Sequence, residues 1–340
     1  MKTQNTTIEN VQTGLILTFI PVIVAGIFSL IYGIINGDID TGLLMVSAVL
    51  PVDRIKELLK SYKQPKTLLT DGATNNKIAK NHGRTFNLSL APFTMNSRGI
   101  NLCAKASKGC AIACIFDTGL GSVYQSIKKS RLFKSEYYVT NKTGFLSQLA
   151  KEIGNKIKNN KGSELFFRLN TFSDLDFVGI LKNRELFDYT TTPENVYFYD
   201  YSAILGKAVK YFNDPKYTVT FSRKEDNENE VEIALQLGIP VAMVFAGEFP
   251  KYYKGVPVVD GDKTDVEMIK YKTGIVLGLK AKGTEAKKDK TGFVIQPETA
   301  KLYDDKNYII SNTAKQSVKL GSLRAFHNIK GNQLAYAIKG

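Results

Sequence analysis

The chain has 340 residues, 43% of them hydrophobic and 23% charged, a globular mixture that argues against wholesale disorder, a collagen or a coiled-coil rod. Three cysteines cannot build a disulfide framework, and two histidines, His82 and His327, cannot build a His-rich metal centre. Lys and Arg number 46 against 32 Asp and Glu, a formal charge of +14, which suits a polyanionic partner or an anionic membrane and says nothing of fold.

From Gly14 to Ile35 the sequence runs GLILTFIPVIVAGIFSLIYGII without a charge. At 1.5 Å per residue this run is about 33 Å long as a helix, enough to cross a hydrocarbon core. Lys2 is the only base before it, whereas Arg54, Lys56, Lys60, Lys63 and Lys66 follow it. That asymmetry favours a cytoplasmic C-terminal side. Residues 14–35 are therefore expected to form a transmembrane-like hydrophobic helix within a hydrophobic N-terminal segment, residues 1–52, with a buried helical hairpin as the alternative. Residues 1–50 carry Lys2 against Glu9, Asp38 and Asp40, so the basic excess belongs to the remainder of the chain. Residues 53–67 form a basic linker that suits either anionic lipid or a solvated helix face.

Short apolar runs then alternate with helix-length stretches. The expected strands are Asn87–Ala91, Leu165–Leu169, Val196–Tyr199, Tyr217–Phe221, Val241–Phe245, Val256–Val259 and Gly274–Leu279, each bounded by turn formers. The expected helices are Val123–Phe133, Gly144–Lys158, Asp174–Phe187, Ser202–Phe212 and Asn227–Leu237. This alternation predicts an α/β fold with a mostly parallel sheet, a (β/α) barrel or partial barrel. No glycine-rich phosphate loop is present. Residues 298–340 form a basic tail.

Chemistry in such folds gathers where strands end. Those ends supply Asn170, Ser173 and Asp174, then Asp200, then Arg223, then Asp260, then Lys280 and Lys282. Asn170, Asp174, Asp200, Arg223 and Asp260 are candidates to line one polar basin. Ser173 and Asp174 equally suit a helix cap. The Asp260-Gly-Asp262-Lys-Thr-Asp265 element suits a hard cation or a tight turn.

All three cysteines fall within twelve residues, Cys103-Ala-Lys-Ala-Ser-Lys-Gly-Cys110-Ala-Ile-Ala-Cys114. Three thiolates on one loop can hold three irons of a [4Fe–4S] cluster and leave the fourth open. They could instead hold Zn²⁺ with His82, Asp117 or water as fourth ligand, or no metal at all. Lys105 and Lys108 are expected to lower the thiol pKa values.

The blocks LLTDGATNNKIAK, NLSLAPF, GINLCAKASKGCAIAC, RLNTFSD, VYFYDYS, YTVTFSRKEDN, VAMVF, YYKGVPVVDGDKTD and VLGLKAKG, followed by TGFV, occur in order between residues 68 and 297. In them the chain resembles the gene product 88 family of bacteriophage proteins. The resemblance implies a phage or prophage origin and hence a host cell, with the α/β domain in the host cytoplasm, tethered to the host membrane if residues 14–35 span it. The family commonly has Pro after the first cysteine and Asn-Gly-Thr before Ser-Asp; here Ala104 and Asn170-Thr171-Phe172 stand instead. A cysteine triplet after a first strand is also similar to radical S-adenosylmethionine enzymes, although the spacing differs from theirs. By that analogy Asn170, Ser173 and Asp174 would meet the amino-acid end of the cofactor, and Lys280 and Lys282 would also face it.

Three functions follow as expectations. One is a metal-dependent or iron–sulfur radical enzyme acting on a small molecule. Another is a nucleic-acid-binding protein, given the charge and 17 tyrosines able to stack on bases. The last is a membrane-tethered structural protein with a zinc-stapled loop.

Overall fold

The structure, a computed structural model, describes residues 51–72, 83–118, 120–263, 269 and 274–308. The 14–35 run, His82, Asp265 and the tail beyond 308 lie outside the described residues. Among those described, no helix is long and apolar enough to cross a membrane. The linker begins with helix α1 (Val52–Leu59), which buries only Ile55.

The domain is built on a ten-stranded sheet. Its strands are β1 (Leu69–Asp71), β2 (Arg84–Leu88), β3 (Leu165–Arg168), β4 (Val196–Ser202), β5 (Tyr217–Ser222), β6 (Val241–Phe245), β7 (Tyr252–Tyr253), β8 (Val256–Asp260), β9 (Val276–Lys280) and β10 (Val294–Ile295). The order is β1-β2-β3-β4-β5-β6-β9-β8-β7, with β10 beside β6. Neighbours from β2 to β8 run parallel, and only β1 and β7 pair antiparallel. The expectation of a barrel is corrected here. β1 and β7 stand at opposite edges and do not meet, so the sheet stays open. Closure depends on edge pairing, which strand composition does not encode.

The strands are short and apolar because both faces are covered. Phe86, Leu165, Phe167, Phe198, Val219, Phe221, Met243 and Val276 point to one face and join the main core. Against them pack α3 (Gln125–Thr140), α4 (Lys142–Asn159), α5 (Phe177–Asn183), α6 (Leu205–Lys210) and α7 (Glu228–Gln236), through residues such as Phe145, Leu149, Phe177, Ala208 and Val231. The alternate residues, Phe166, Tyr199, Ala242 and Leu277, form a smaller cluster on the opposite face. A helix of one turn, α2 (Lys108–Ile112), carries Cys110.

Two elements differ in extent for clear reasons. β2 ends at Leu88, three residues before the expected Ala91, because the Ala91 amide leaves the ladder and donates to Ser135 Oγ at 2.7 Å. β4 runs on to Ser202 because β5 pairs with it as far as Phe221.

One strand edge is shared. β5 pairs with the first half of β6 through Phe221 and Ser222, and β10 pairs with the second half through Val294 and Ile295. The sheet therefore splits on one side of β6. The cysteine segment docks at that split.

Candidate functional site

The loop 92–114 is pinned at both ends. At its start Phe93 takes a φ of 53°, a conformation disfavoured for a side chain of that size. Its carbonyl accepts the Leu102 amide at 3.1 Å, and its backbone also hydrogen-bonds Cys103. The Cys103 thiol donates to the Phe172 carbonyl at 2.9 Å. The Phe172 ring stands 4.2 Å from the Arg131 guanidinium and edge-on to Phe116, which is itself buried. The Asn170-Thr171-Phe172 loop thus meets Cys103 through the Phe172 carbonyl, while the Phe172 ring packs on Arg131 and Phe116.

At the other end Glu225, after β5, seats α2. One carboxylate oxygen accepts the Gly109 amide at 2.6 Å and the other accepts the Ser107 hydroxyl at 2.6 Å. Ser107 in turn caps the helix by accepting the Cys110 amide. Gly109 has no room for a side chain: a Cβ there would overlap Thr291, Phe293 and Glu225. Arg223 closes the same split from below. Its guanidinium donates to the carbonyls of Gly292 and Phe293 and pairs with Glu228, joining the exit of β5 to the entry of β10.

The three cysteines are free thiols, each half-buried. Burial pushes Cys103 up to about 12, with Cys114 and Asp174 adding to the rise. Burial also pushes Cys110 well above the ordinary thiol value, and the charges of Cys114, Cys103 and Glu225 add to it. The expected lowering by Lys105 and Lys108 is corrected: both are exposed, and burial outweighs them. The lysine that does favour the Cys110 thiolate is Lys224, buried on the loop after β5. The three thiols thus share one electrostatic neighbourhood over the carboxyl ends of β3 and β5. Among the described residues, no three His, Cys, Asp or Glu side chains are arranged to hold a metal ion. His82 and the side chain of Asp117 lie outside what is described.

The carboxylate of Asp200 within β4 and the residues after β3 do come together, and their hydrogen bonds are spent on one another. Asp200 accepts the backbone amide of Asn170 at 2.8 Å, its side-chain amide at 2.9 Å and the Tyr217 hydroxyl at 2.9 Å. Burial raises its pKa, against the pull of Lys207, Asn170 and Tyr217. Asn170 Oδ1 accepts Ser173 Oγ and the Leu175 amide. Asp174 accepts the Ser202 hydroxyl and the Ala203 amide and pairs with the buried Lys207 at 3.3 Å. Tyr217 belongs to the main core, so this cluster sits toward the helix-covered face.

The remaining candidates lie around β8 and β9. Asp260 accepts the Asp262 amide at 2.9 Å, a tight turn. Asp262 accepts the Lys280 amide and pairs with Lys282 at 2.7 Å. The Lys280 ammonium donates to the Gly247 carbonyl and lies 4.3 Å from the Phe249 ring.

Residues missed in the sequence occupy the opposite face of the sheet. Asn87 pairs in register with Arg168, and Tyr201 with Thr220. Asn87 Oδ1 and Thr220 Oγ1 are buried with no hydrogen-bond partner among the described residues. Strand parity was the signal available: each is one step from a core residue, Phe86 and Phe221.

No curated protein and no solved structure matched the chain. The family model described as gene product 88 matches residues 59–297, spanning the cysteine loop, the split at β6 and the Asn170–Asp200 cluster. The chain belongs to the gene product 88 family of bacteriophage proteins.

Proposed function

We propose that this family fold carries a thiolate metal centre, with Cys103, Cys110 and Cys114 as the protein ligands. The supporting observation is that all three cysteines of the chain share one electrostatic neighbourhood, on a loop held by Phe172 at one end and Glu225 at the other. The donor chemistry fits a [4Fe–4S] cluster or Zn²⁺. The disposition of the thiols does not yet surround an ion. Uptake therefore requires the protonated thiols to lose their protons and the loop to tighten. A centre held this way supplies redox or Lewis-acid chemistry. Burial disfavours the thiolates, and the groups of the chain that oppose it are the Phe93 backbone at Cys103 and Lys224 at Cys110. Metal analysis of protein purified without oxygen tests this. Iron or zinc at one centre per chain, lost in Cys110→Ala, is the expected result. Protein that arrives metal-free and takes up neither metal overturns the proposal.

A second reading, nucleic-acid binding, is favoured by a basic rim. Gly283 lies against Thr118, and Ala286 packs on Ala113, so the loop after β9 borders the cysteine segment. Lys105, Lys108, Lys287, Lys288 and Lys290 on these two segments are all exposed. Binding to mixed single-stranded DNA that weakens steeply with salt supports it; no binding at low salt removes it.

A further inference from the structure

The segment that follows the cysteines carries an apolar ridge. Seven large apolar side chains are exposed among the described residues, and three of them fall within ten positions: Ile115 at 45%, Val123 at 68% and Tyr124 at 53%. The turn Ile115–Asp117 packs against the helix Leu120–Val123, and Tyr124 stands at the next position, ahead of α3. The three therefore share one small surface. Single exposed apolar side chains are ordinary, but a cluster rimmed by charge marks a contact.

The rim is basic. Thr118 lies against Gly283 and Ala113 against Ala286, so the loop 283–290 borders the ridge. Lys105 and Lys108 are exposed on the cysteine segment, and Lys287, Lys288 and Lys290 on the bordering loop. None of the five has an ion-pair partner among the described residues, and Glu285 is the one described acid exposed on the two segments.

We infer that this face rests on an anionic lipid surface. Ile115 and Val123 enter the boundary between headgroups and acyl chains, Tyr124 keeps its hydroxyl at headgroup depth, and the five lysines meet lipid phosphates. The same lysines suit nucleic acid, but exposed isoleucine and valine neither pair with phosphate nor stack on bases, and they tip the balance to lipid. None of the thiols takes part, so failure of this inference leaves the metal reading untouched.

The chain has no tryptophan, so Tyr124→Trp places a single indole on the ridge. Its emission is read as the full chain is titrated with vesicles of phosphatidylglycerol and phosphatidylcholine in equal parts. A blue shift is expected, absent with phosphatidylcholine alone and reversed by salt. Changing Lys287, Lys288 and Lys290 together to Gln should raise the lipid needed for half the shift at least tenfold, since each lysine is worth about fivefold at such a surface. An indole that stays in water while the chain floats with the vesicles overturns the inference, because attachment then runs through another segment. An equal shift with neutral vesicles overturns it as well. So does mixed single-stranded DNA that quenches the indole and keeps the vesicles off, which would give the face to nucleic acid.

Discussion

Asp200 receives both amides of Asn170, the backbone N–H at 2.8 Å and the side-chain Nδ2 at 2.9 Å, and this pair ties the exit of β3 to β4. The Tyr217 hydroxyl adds a link to β5. Three consecutive parallel strands are therefore joined by one carboxylate under the helix layer. Such a clamp fixes the position of the loop that carries Phe172, and through it the partner of the Cys103 thiol.

Replacement of the Asn170 side chain strips one of these donors. Asn170→Ala leaves its backbone N–H but removes the Nδ2 contact and the acceptor for Ser173 and Leu175. A loss of about 2–3 kcal/mol in urea unfolding is expected, the usual result of leaving buried polar partners unmet. A loss below about 0.5 kcal/mol, the scale of a neutral surface change, would contradict the clamp.

Gly109 sits where a side chain has no space. Gly109→Ala should cost about 1–3 kcal/mol, as overpacking usually does, and should lift α2 from Glu225. Faster modification of Cys110 by a thiol reagent is the second readout. Unchanged stability together with unchanged thiol reactivity would contradict the tight seat.

Phe172 stacks on Arg131 and meets Phe116 edge-on. Phe172→Ala should cost about 1–2 kcal/mol by loss of the cation–π and aromatic contacts. It should also raise the reactivity of Cys103, whose thiol faces the Phe172 carbonyl. Cys110, held from the other end of the loop, should change less.

Asp176 caps α5 and meets Lys210 at 2.8 Å and the Tyr211 hydroxyl at 2.7 Å. Burial pushes its pKa up, but the bonds from Lys210, Tyr211 and Gly179 outweigh burial and leave it below the ordinary value. The stability it contributes is thus complete above its unfolded pKa and is lost as pH falls through the lower folded value. Asp176→Asn should cost about 1 kcal/mol at pH 7 for a partly exposed pair. The difference between variant and parent should shrink below about pH 4, where the unfolded carboxyl protonates. A difference that persists undiminished at low pH contradicts the assignment.

Much of the sheet was legible in the sequence because parallel strands covered on both faces must be continuous apolar runs. Val241–Phe245 shows this, with expected and observed limits the same. β1, β7 and β10 escaped because two or three residues carry no period. The open sheet escaped because edges pair, or fail to pair, through backbone groups common to every residue. At the site, the cysteine cluster was visible by proximity along the chain. Its electrostatics were not: Lys105 and Lys108 are close in sequence but exposed, whereas Lys224 comes from more than a hundred residues away and is buried. Asp200 follows an apolar strand and suggested an open basin. One residue of alternation from Tyr199 turns it instead toward Tyr217 and the core.

Titration of oxygen-free, reduced protein with Co²⁺ tests the thiol centre most directly, because thiolate-to-cobalt charge transfer reports sulfur ligation itself. Near-ultraviolet absorption that saturates at one ion per chain, proton release on binding, and joint protection of Cys103, Cys110 and Cys114 from alkylation are expected. A titration with no charge-transfer band, in which the three cysteines alkylate independently with or without the ion, would contradict the thiol centre.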